Sequence, residues 1–397
     1  MNWDLVSVLV FYFVLLIIYY SYKSKFETQG LFVMYRTKFG LNLMDYIAKK
    51  FPRLVRGLSY IGVITGFFGM AFILYFLVKE TIKLVFVPGT PSALAPVLPG
   101  IEIPGAPALS FWHWVITIFV AAVVHEFAHG VVSRAINVPI KSSGFAFMGP
   151  LLAAFVEPEE HVLEKKSTWG KLGVFAAGPF SNIILGIIVL LFVLCVFSPF
   201  LGLIYDSNGI NVGTMAEDEA MSQSGIEVPF TITSINGEEV LSLEEFLKET
   251  KEIKPGDEVV VGTDRGEYNV VVGEHPDDSS IGYFGILGLE ENIVLKENFE
   301  FLDPIDGMFE WLQLLLMWLF MISIGVGLFN LLPLGPVDGG RMFHSLCLVF
   351  FNEKVSKILL NIISFACLAL IIINMIPWIE KLLGFIWNVA LMFVGFL

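Results

Sequence analysis

The sequence predicts a polytopic α-helical membrane protein of six or seven spans with a small extracytoplasmic α+β insert, and three observations carry that expectation. Of the 397 residues 56% are apolar and only 16% charged, against about 45–50% and about 25% in an average soluble chain. Uncharged apolar runs recur at close to the roughly 20 residues that a helix needs to cross a bilayer. A single block, Asp206 to Pro304, holds 23 acidic and 5 basic residues of a chain whose net charge is −14. The 37 Phe and 8 Trp exclude disorder. Cys195, Cys347 and Cys367 all sit inside apolar runs, which excludes a secreted disulfide framework and a Cys-rich zinc site. No concentrated basic face points to nucleic acid.

The expected spans, in order, are Leu5–Tyr20, Leu58–Val78, Phe111–Val124 running on to Ser133, Leu172–Tyr205, Trp311–Val337 and Ile358–Ile379, with Leu382–Leu397 as a borderline seventh. The first run lacks a basic n-region and a small-residue cleavage site and reads as a retained anchor. Orientation follows the basic residues. Lys23, Lys25, Arg36, Lys38, Lys49, Lys50, Arg53 and Arg56 follow the first span, Arg134, Lys141, Lys165, Lys166 and Lys171 the third, and Arg341, Lys354 and Lys357 the fifth. These loops are expected in the cytoplasm, with the N-terminus and the acidic insert outside; Lys79 and Lys83 count the other way and are outnumbered. The stretch Lys23–Arg56, basic and interleaved with apolar residues, suits the anionic lipids of the inner leaflet.

Within the insert, strand-like runs alternate with turn signals. Phe230–Ile235 meets Asn236-Gly237, Leu243–Thr250 has a short helical pattern, Pro255-Gly256 precedes Glu258–Thr263, and Asp264-Arg265-Gly266 turns into Tyr268–Val272. That order resembles a PDZ domain over about residues 207–290, although its carboxylate-binding loop is not legible.

The chemistry concentrates in the third span, at His125-Glu126-Phe127-Ala128-His129. Histidines at i and i+4 share one helix face and can bind one ion, with Glu126 beside them to take a proton from water. Ionisable groups inside a span cost about 2.5–3.5 kcal/mol each on insertion scales, so three within five residues need a shared reason, and a metal supplies one. A catalytic zinc usually has three protein ligands, and the third must come from elsewhere. Asp338, in Asn330-Leu331-Leu332-Pro333-Leu334-Gly335-Pro336-Val337-Asp338-Gly339-Gly340, is the acid at the end of the uncharged run of the fifth span that the topology places toward the cytoplasm. The topology above brings both motifs to a similar depth. Pro139–Glu157, punctuated by Ser142-Ser143-Gly144 and Gly149-Pro150, is too broken for a span and fits a membrane hairpin or an interfacial loop. His113 lies about three turns from His125, too far to be a ligand.

Taken together, His125–His129 and Phe329-Asn330…Pro333…Asp338-Gly339 resemble the site-2 protease family of intramembrane zinc metalloproteases, in its PDZ-containing branch. Ala177-Gly178-Pro179-Phe180-Ser181-Asn182 is similar to that family's small-residue motif beside the site, read here as close helix packing. The resemblance implies one Zn2+ per chain held by His125, His129 and Asp338. It further implies Glu126 as general base and then proton donor, Asn330 as a hydrogen-bond donor to the substrate carbonyl, and transmembrane proteins as substrates. The chain then divides into N-terminal spans (1–110), a first half of the membrane core (111–205) with a candidate hairpin at 139–157, the insert (206–305), a second half of the core (306–345) and C-terminal spans (346–397). Two alternatives stay open: a CAAX prenyl protease or HtpX type of metalloprotease with Glu157 as third ligand, and a non-enzymatic metal transporter or PDZ receptor.

Overall fold

Apolar runs that cross a bilayer must close every backbone hydrogen bond internally, which selects helices. The computed structural model describes residues 3–395 apart from 24, 25, 30, 31, 89, 91, 102, 104, 105, 149, 150, 217, 218, 276 and 277. It divides into two units, Met1–Phe192 with Trp311–Leu397, and Val193–Glu310. The first unit runs through α1 (Trp3–Ser21), β1 (Phe26–Gln29), β2 (Phe32–Thr37), α2 (Leu41–Lys50), α3 (Pro52–Phe86), α4 (Phe111–Ala135), β3 (Ile140–Met148), β4 (Leu151–Pro158), α5 (Glu160–Leu163) and α6 (Thr168–Phe192). Five helical segments among the described residues are long and apolar enough to span: Pro52–Phe86, Phe111–Ala135, Thr168–Ile204, Glu297–Asn330 and Glu353–Gly384. The apolar run of α1, Val6–Ser21, is shorter than these.

Small residues set how closely the helices approach. A Cβ on Gly62 of α3 would stand 3.2 Å from the Phe180 ring of α6, and one on Gly66 would stand 2.7 Å from Met342. The G-x-x-x-G of the second span is thus a packing seam. Ser110 caps α4 by accepting from the His113 backbone N–H. His113 itself is buried and rivets that end of α4: Nε2 donates to the Trp311 carbonyl at 3.0 Å and Nδ1 accepts from the Ser110 hydroxyl.

The broken stretch before α6 is a hairpin, and it belongs to a four-stranded antiparallel sheet in the order β1-β2-β3-β4. The Gly149-Pro150 turn lies outside the described residues. Ser143 stands opposite Val156 and Phe145 opposite Ala154, leaving β4 as an open edge. Strands β1 and β2 lie inside the basic loop, where β2 pairs with β3 of the distant hairpin. Arg36 of β2 reaches across β3: its guanidinium bonds Glu27 at 2.8 Å, Ser142 Oγ at 3.0 Å and the Glu157 carboxylate of β4. Burial alone would raise the Glu157 pKa, but the Ser142 hydroxyl and Arg36 outweigh it and hold the carboxyl below its ordinary range. A depressed carboxylate adds stability above its unfolded value, about 4.3, and loses that contribution as pH falls through the folded value. Amides of β4, corrected for intrinsic exchange rates, are therefore expected to lose hydrogen-exchange protection on acidification below about pH 4, and Arg36→Ala should weaken that dependence, leaving the part due to Ser142. Protection insensitive to Arg36 would refute the clasp.

The second unit follows a π-helical turn (Val193–Phe197) with α7 (Ser198–Ile204), β5 (Tyr205–Met215), α8 (Ala220–Gln223), β6 (Phe230–Ile235), β7 (Glu238–Glu239), α9 (Leu243–Thr250), β8 (Glu258–Thr263), β9 (Gly266–Val271), β10 (Gly273–His275), β11 (Asp278–Tyr283), β12 (Ile286–Leu295) and a 3-10 stretch (Glu297–Ile305). Its sheet runs β12-β5-β6-β8-β9, with β7 beside β6. Alternate strand residues, among them Ile210, Val212, Ile232, Val259 and Val261, close a core under Phe246 of α9. Asn236 and Gly237 both take positive φ, 51° and 84°, as the turn between β6 and β7 requires. Ser242 and Glu245 cap α9 reciprocally. Each element read from the sequence lies where expected. The β5–β12 pair was not expected.

The chain ends with α10 (Asp306–Asn330), α11 (Asp338–Phe350) and α12 (Glu353–Gly395). Two expectations need correction here. The fifth span stops at Asn330, and Asp338 opens the next helix, because Pro333 and Pro336 cannot continue the backbone ladder. The sixth apolar run and the seventh as far as Gly395 lie on one helix that continues past Pro377; residues 396 and 397 are outside the described set.

Candidate metal centre and its cavity

Helical spacing places His125 and His129 one above the other on α4, with Nε2 atoms 3.1 Å apart and ring planes at 75°. The chain from Leu331 to Val337 then folds back to present the third group. That turn depends on glycine. A Cβ on Gly339 would lie 2.3 Å from the Leu331 carbonyl, and one on Gly340 2.1 Å from the Leu334 carbonyl oxygen. The doubled glycine after Asp338 lets the start of α11 sit against the turn that precedes it. Asp338 Oδ2 consequently stands 3.0 Å from His125 Nε2 and 3.3 Å from His129 Nε2. Both imidazoles are buried, and Asp338 is mostly so.

These distances fit one zinc. Three atoms each about 2.0–2.2 Å from a tetrahedral ion lie roughly 3.3–3.6 Å from one another, and the observed 3.0, 3.1 and 3.3 Å lie within a few tenths of an ångström of the lower end. The outer nitrogens agree. His129 Nδ1 lies 2.7 Å from the Val174 carbonyl oxygen, which can only accept, so Nδ1 carries the hydrogen and Nε2 keeps its lone pair for an ion. The side-chain amide of Asn182, fully buried on α6, lies 3.3 Å from His125 Nδ1. Turned so that Oδ1 faces that nitrogen, it gives a partner to an oxygen that is otherwise buried without one.

Gly178 is more than a packing residue, since a Cβ there would stand 2.4 Å from His129 Nε2 and 2.5 Å from His125 Nε2. Gly178→Ala is expected to displace both rings and cut bound zinc to a small fraction of the wild-type content, while the folded helices survive. Zinc analysis of the purified variant, beside its helical circular dichroism, checks this.

A cavity of about 780 Å³ opens onto the three groups and is lined also by Glu126, Phe155, Val156, Asn330 and Arg341. Glu126, next to His125 on α4, accepts a hydrogen bond from the Val156 backbone N–H of β4 at 2.9 Å. Asn330, the last residue of α10, borders the same space. All five residues singled out in the sequence therefore meet at one cavity. Glu157, the rival third ligand, also borders it, but its carboxylate is taken by Arg36 and Ser142 and is not part of the ligand group. Val156 and Val174 act through backbone atoms and leave no side-chain signal. Asn182 was visible in the Gly178–Asn182 motif, though not its reach to His125.

A family model described as peptidase family M50 matches residues 113–374, which contain every one of these groups. The chain belongs to peptidase family M50. Over 364 residues this M50 chain is 28% identical to an uncharacterized protein of Methanocaldococcus jannaschii, MJ0971, covering 87% of each. It is 24% identical to a protein of Shouchella clausii named zinc metalloprotease RasP, over 61% of this chain and 65% of that one. A putative zinc metalloprotease of Streptococcus pneumoniae, spr0242, is 23% identical over 56% and 61%. Among solved structures, the PDZ domain of an SdrC-like protein from Listeria monocytogenes is 19% identical, covering 23% of this chain and 90% of that domain at a TM-score of 0.18. The M50 membership agrees with the site-2 protease resemblance of the paired motifs, and this M50 protein is a metalloprotease with several helices long and apolar enough to cross a membrane.

Proposed function

We propose that this M50 protein is an intramembrane endopeptidase that hydrolyses peptide bonds within or near transmembrane segments of other membrane proteins. One observation carries the reading: His125, His129 and Asp338 converge at ligand distances beside Glu126, on helices apolar enough to span a bilayer. Zinc held by the three groups would lower the pKa of a bound water toward 7 and polarise a scissile carbonyl. Glu126 takes a proton from the attacking water and returns it to the leaving amine. Asn330 donates a hydrogen bond to the carbonyl oxygen as negative charge develops there. A helical substrate hides its peptide bonds, so it unwinds locally, and the open edge of β4 offers it backbone partners.

The basic loops favour an N-terminus and an acidic insert outside the cell and a site toward the cytoplasm. The insert, a folded unit of its own, sorts or gates substrates before they reach the site; deletion of residues 207–290 with unchanged selectivity would reject that role. The decisive experiment incubates the purified full-length protein with a model transmembrane substrate, with and without a metal chelator. Cleavage that the chelator stops supports the reading. A chain that binds zinc and leaves every such substrate intact refutes it.

A further inference from the structure

The hydrogen bond between Glu126 and β4 has a directional consequence. In an antiparallel ladder the residues of one strand alternate between those whose N–H and C=O face the partner strand and those whose groups face away. Val156 directs its N–H at Glu126, so it faces away from β3, although Ser143 stands opposite it. By the period of two, Ala154 and Leu152 face the open edge as well. Pro158 closes the row, because it has no N–H to offer.

We propose that the Val156 N–H is a positioning group for Glu126 and that the β4 edge is shared between base and substrate. One outward amide fixes a carboxylate oxygen, and the next two outward positions, Ala154 and Leu152, remain to pair with an incoming strand. This inference rests on the hydrolytic reading above. A glutamate has three rotatable side-chain bonds, and the only side-chain hydrogen bond that Glu126 makes among the described residues is this one. Anchoring Oε2 leaves Oε1 to exchange the proton. The anchor is part of the strand that receives the substrate, so the base and the unwound peptide are indexed to the same backbone. An N–H cannot change protonation state during turnover, unlike a side-chain donor.

The test separates the two halves of the edge. Val156→Pro deletes the N–H at a site where it faces away from the ladder, which edge strands tolerate, and Val156→Ala retains it. Replacing Val156 by its α-hydroxy acid, which turns the amide into an ester, removes the N–H without a proline ring if proline disturbs the strand, at the cost of a weaker Phe155 carbonyl acceptor toward β3. On a model transmembrane substrate, loss of the N–H is expected to lower kcat about 10- to 100-fold, the range seen when outer-shell partners are removed. KM and zinc content should stay at wild-type values, and Val156→Ala, which keeps the N–H while trimming a side chain that lines the cavity, should lose clearly less kcat than the proline variant. Ala154→Pro should do the reverse and raise KM with kcat largely kept. An unchanged kcat without the N–H overturns the proposal. So does a raised KM at normal kcat, which gives the amide to the substrate, or a loss of zinc, which gives it a purely structural part. Failure of the underlying reading looks different, since wild-type protein would then cleave nothing.

Discussion

Glu126→Gln leaves the zinc content unchanged and removes cleavage, with kcat lower by at least about 100-fold, the lower end of what a positioned general base contributes. The amide is nearly isosteric, and its oxygen can still accept from the Val156 N–H, so the cavity keeps its shape. What it cannot do is take a proton from water. Metal analysis and steady-state cleavage on the same preparation decide the matter, and a Gln variant with a tenth or more of wild-type activity would move the base elsewhere. A transporter built on the same ligands would not lose its function by this exchange.

Asp338→Asn has the opposite signature, because it weakens the ion rather than the proton transfer. The side chain keeps its volume but loses the negative charge that stands 3.0 and 3.3 Å from the two imidazole nitrogens. Zinc content after dialysis against a mild chelator should fall to a small fraction of wild type, and activity with it. Glu157→Ala is the matched control. It breaks the bond to Arg36, loosens β4 and leaves zinc in place. If the Glu157 variant lost zinc and the Asp338 variant kept it, the ligand assignment would be reversed.

Much of this was legible in the sequence because it rests on periodicity. The His125–His129 pair follows from helical spacing, the insert's strands from turn dipeptides, and the spans from uncharged length. Asp338 stands out as the acid that follows an otherwise neutral run, and Pro333 and Pro336 mark a helix break ahead of it, as observed; only the span bound at Val337 runs too far, since the helix ends at Asn330. Strands β1 and β2 stayed hidden because pairing with a distant hairpin, not local pattern, makes them strands. The parts of the site built from the main chain, the Val174 carbonyl and the Val156 amide, carry no residue preference that a single sequence could display. Gly178 and Asn182 were noticed for their smallness and polarity, but only the folded neighbourhood tells that both abut imidazoles.

The Arg36 clasp sets a minimum size for a working enzyme. A chain shortened to begin at Lys38 would retain α2, whose Leu41, Met44 and Ala48 pack against α4, and every group proposed to touch metal, water or scissile bond. It would nonetheless lose β1, β2 and the guanidinium that braces the receiving edge from behind. Such a truncation should still load zinc normally yet process peptides slowly and with blurred choice of cutting position. Under the proposed hydrolytic function, residues remote in sequence from every reacting atom would thereby govern the accuracy of cleavage.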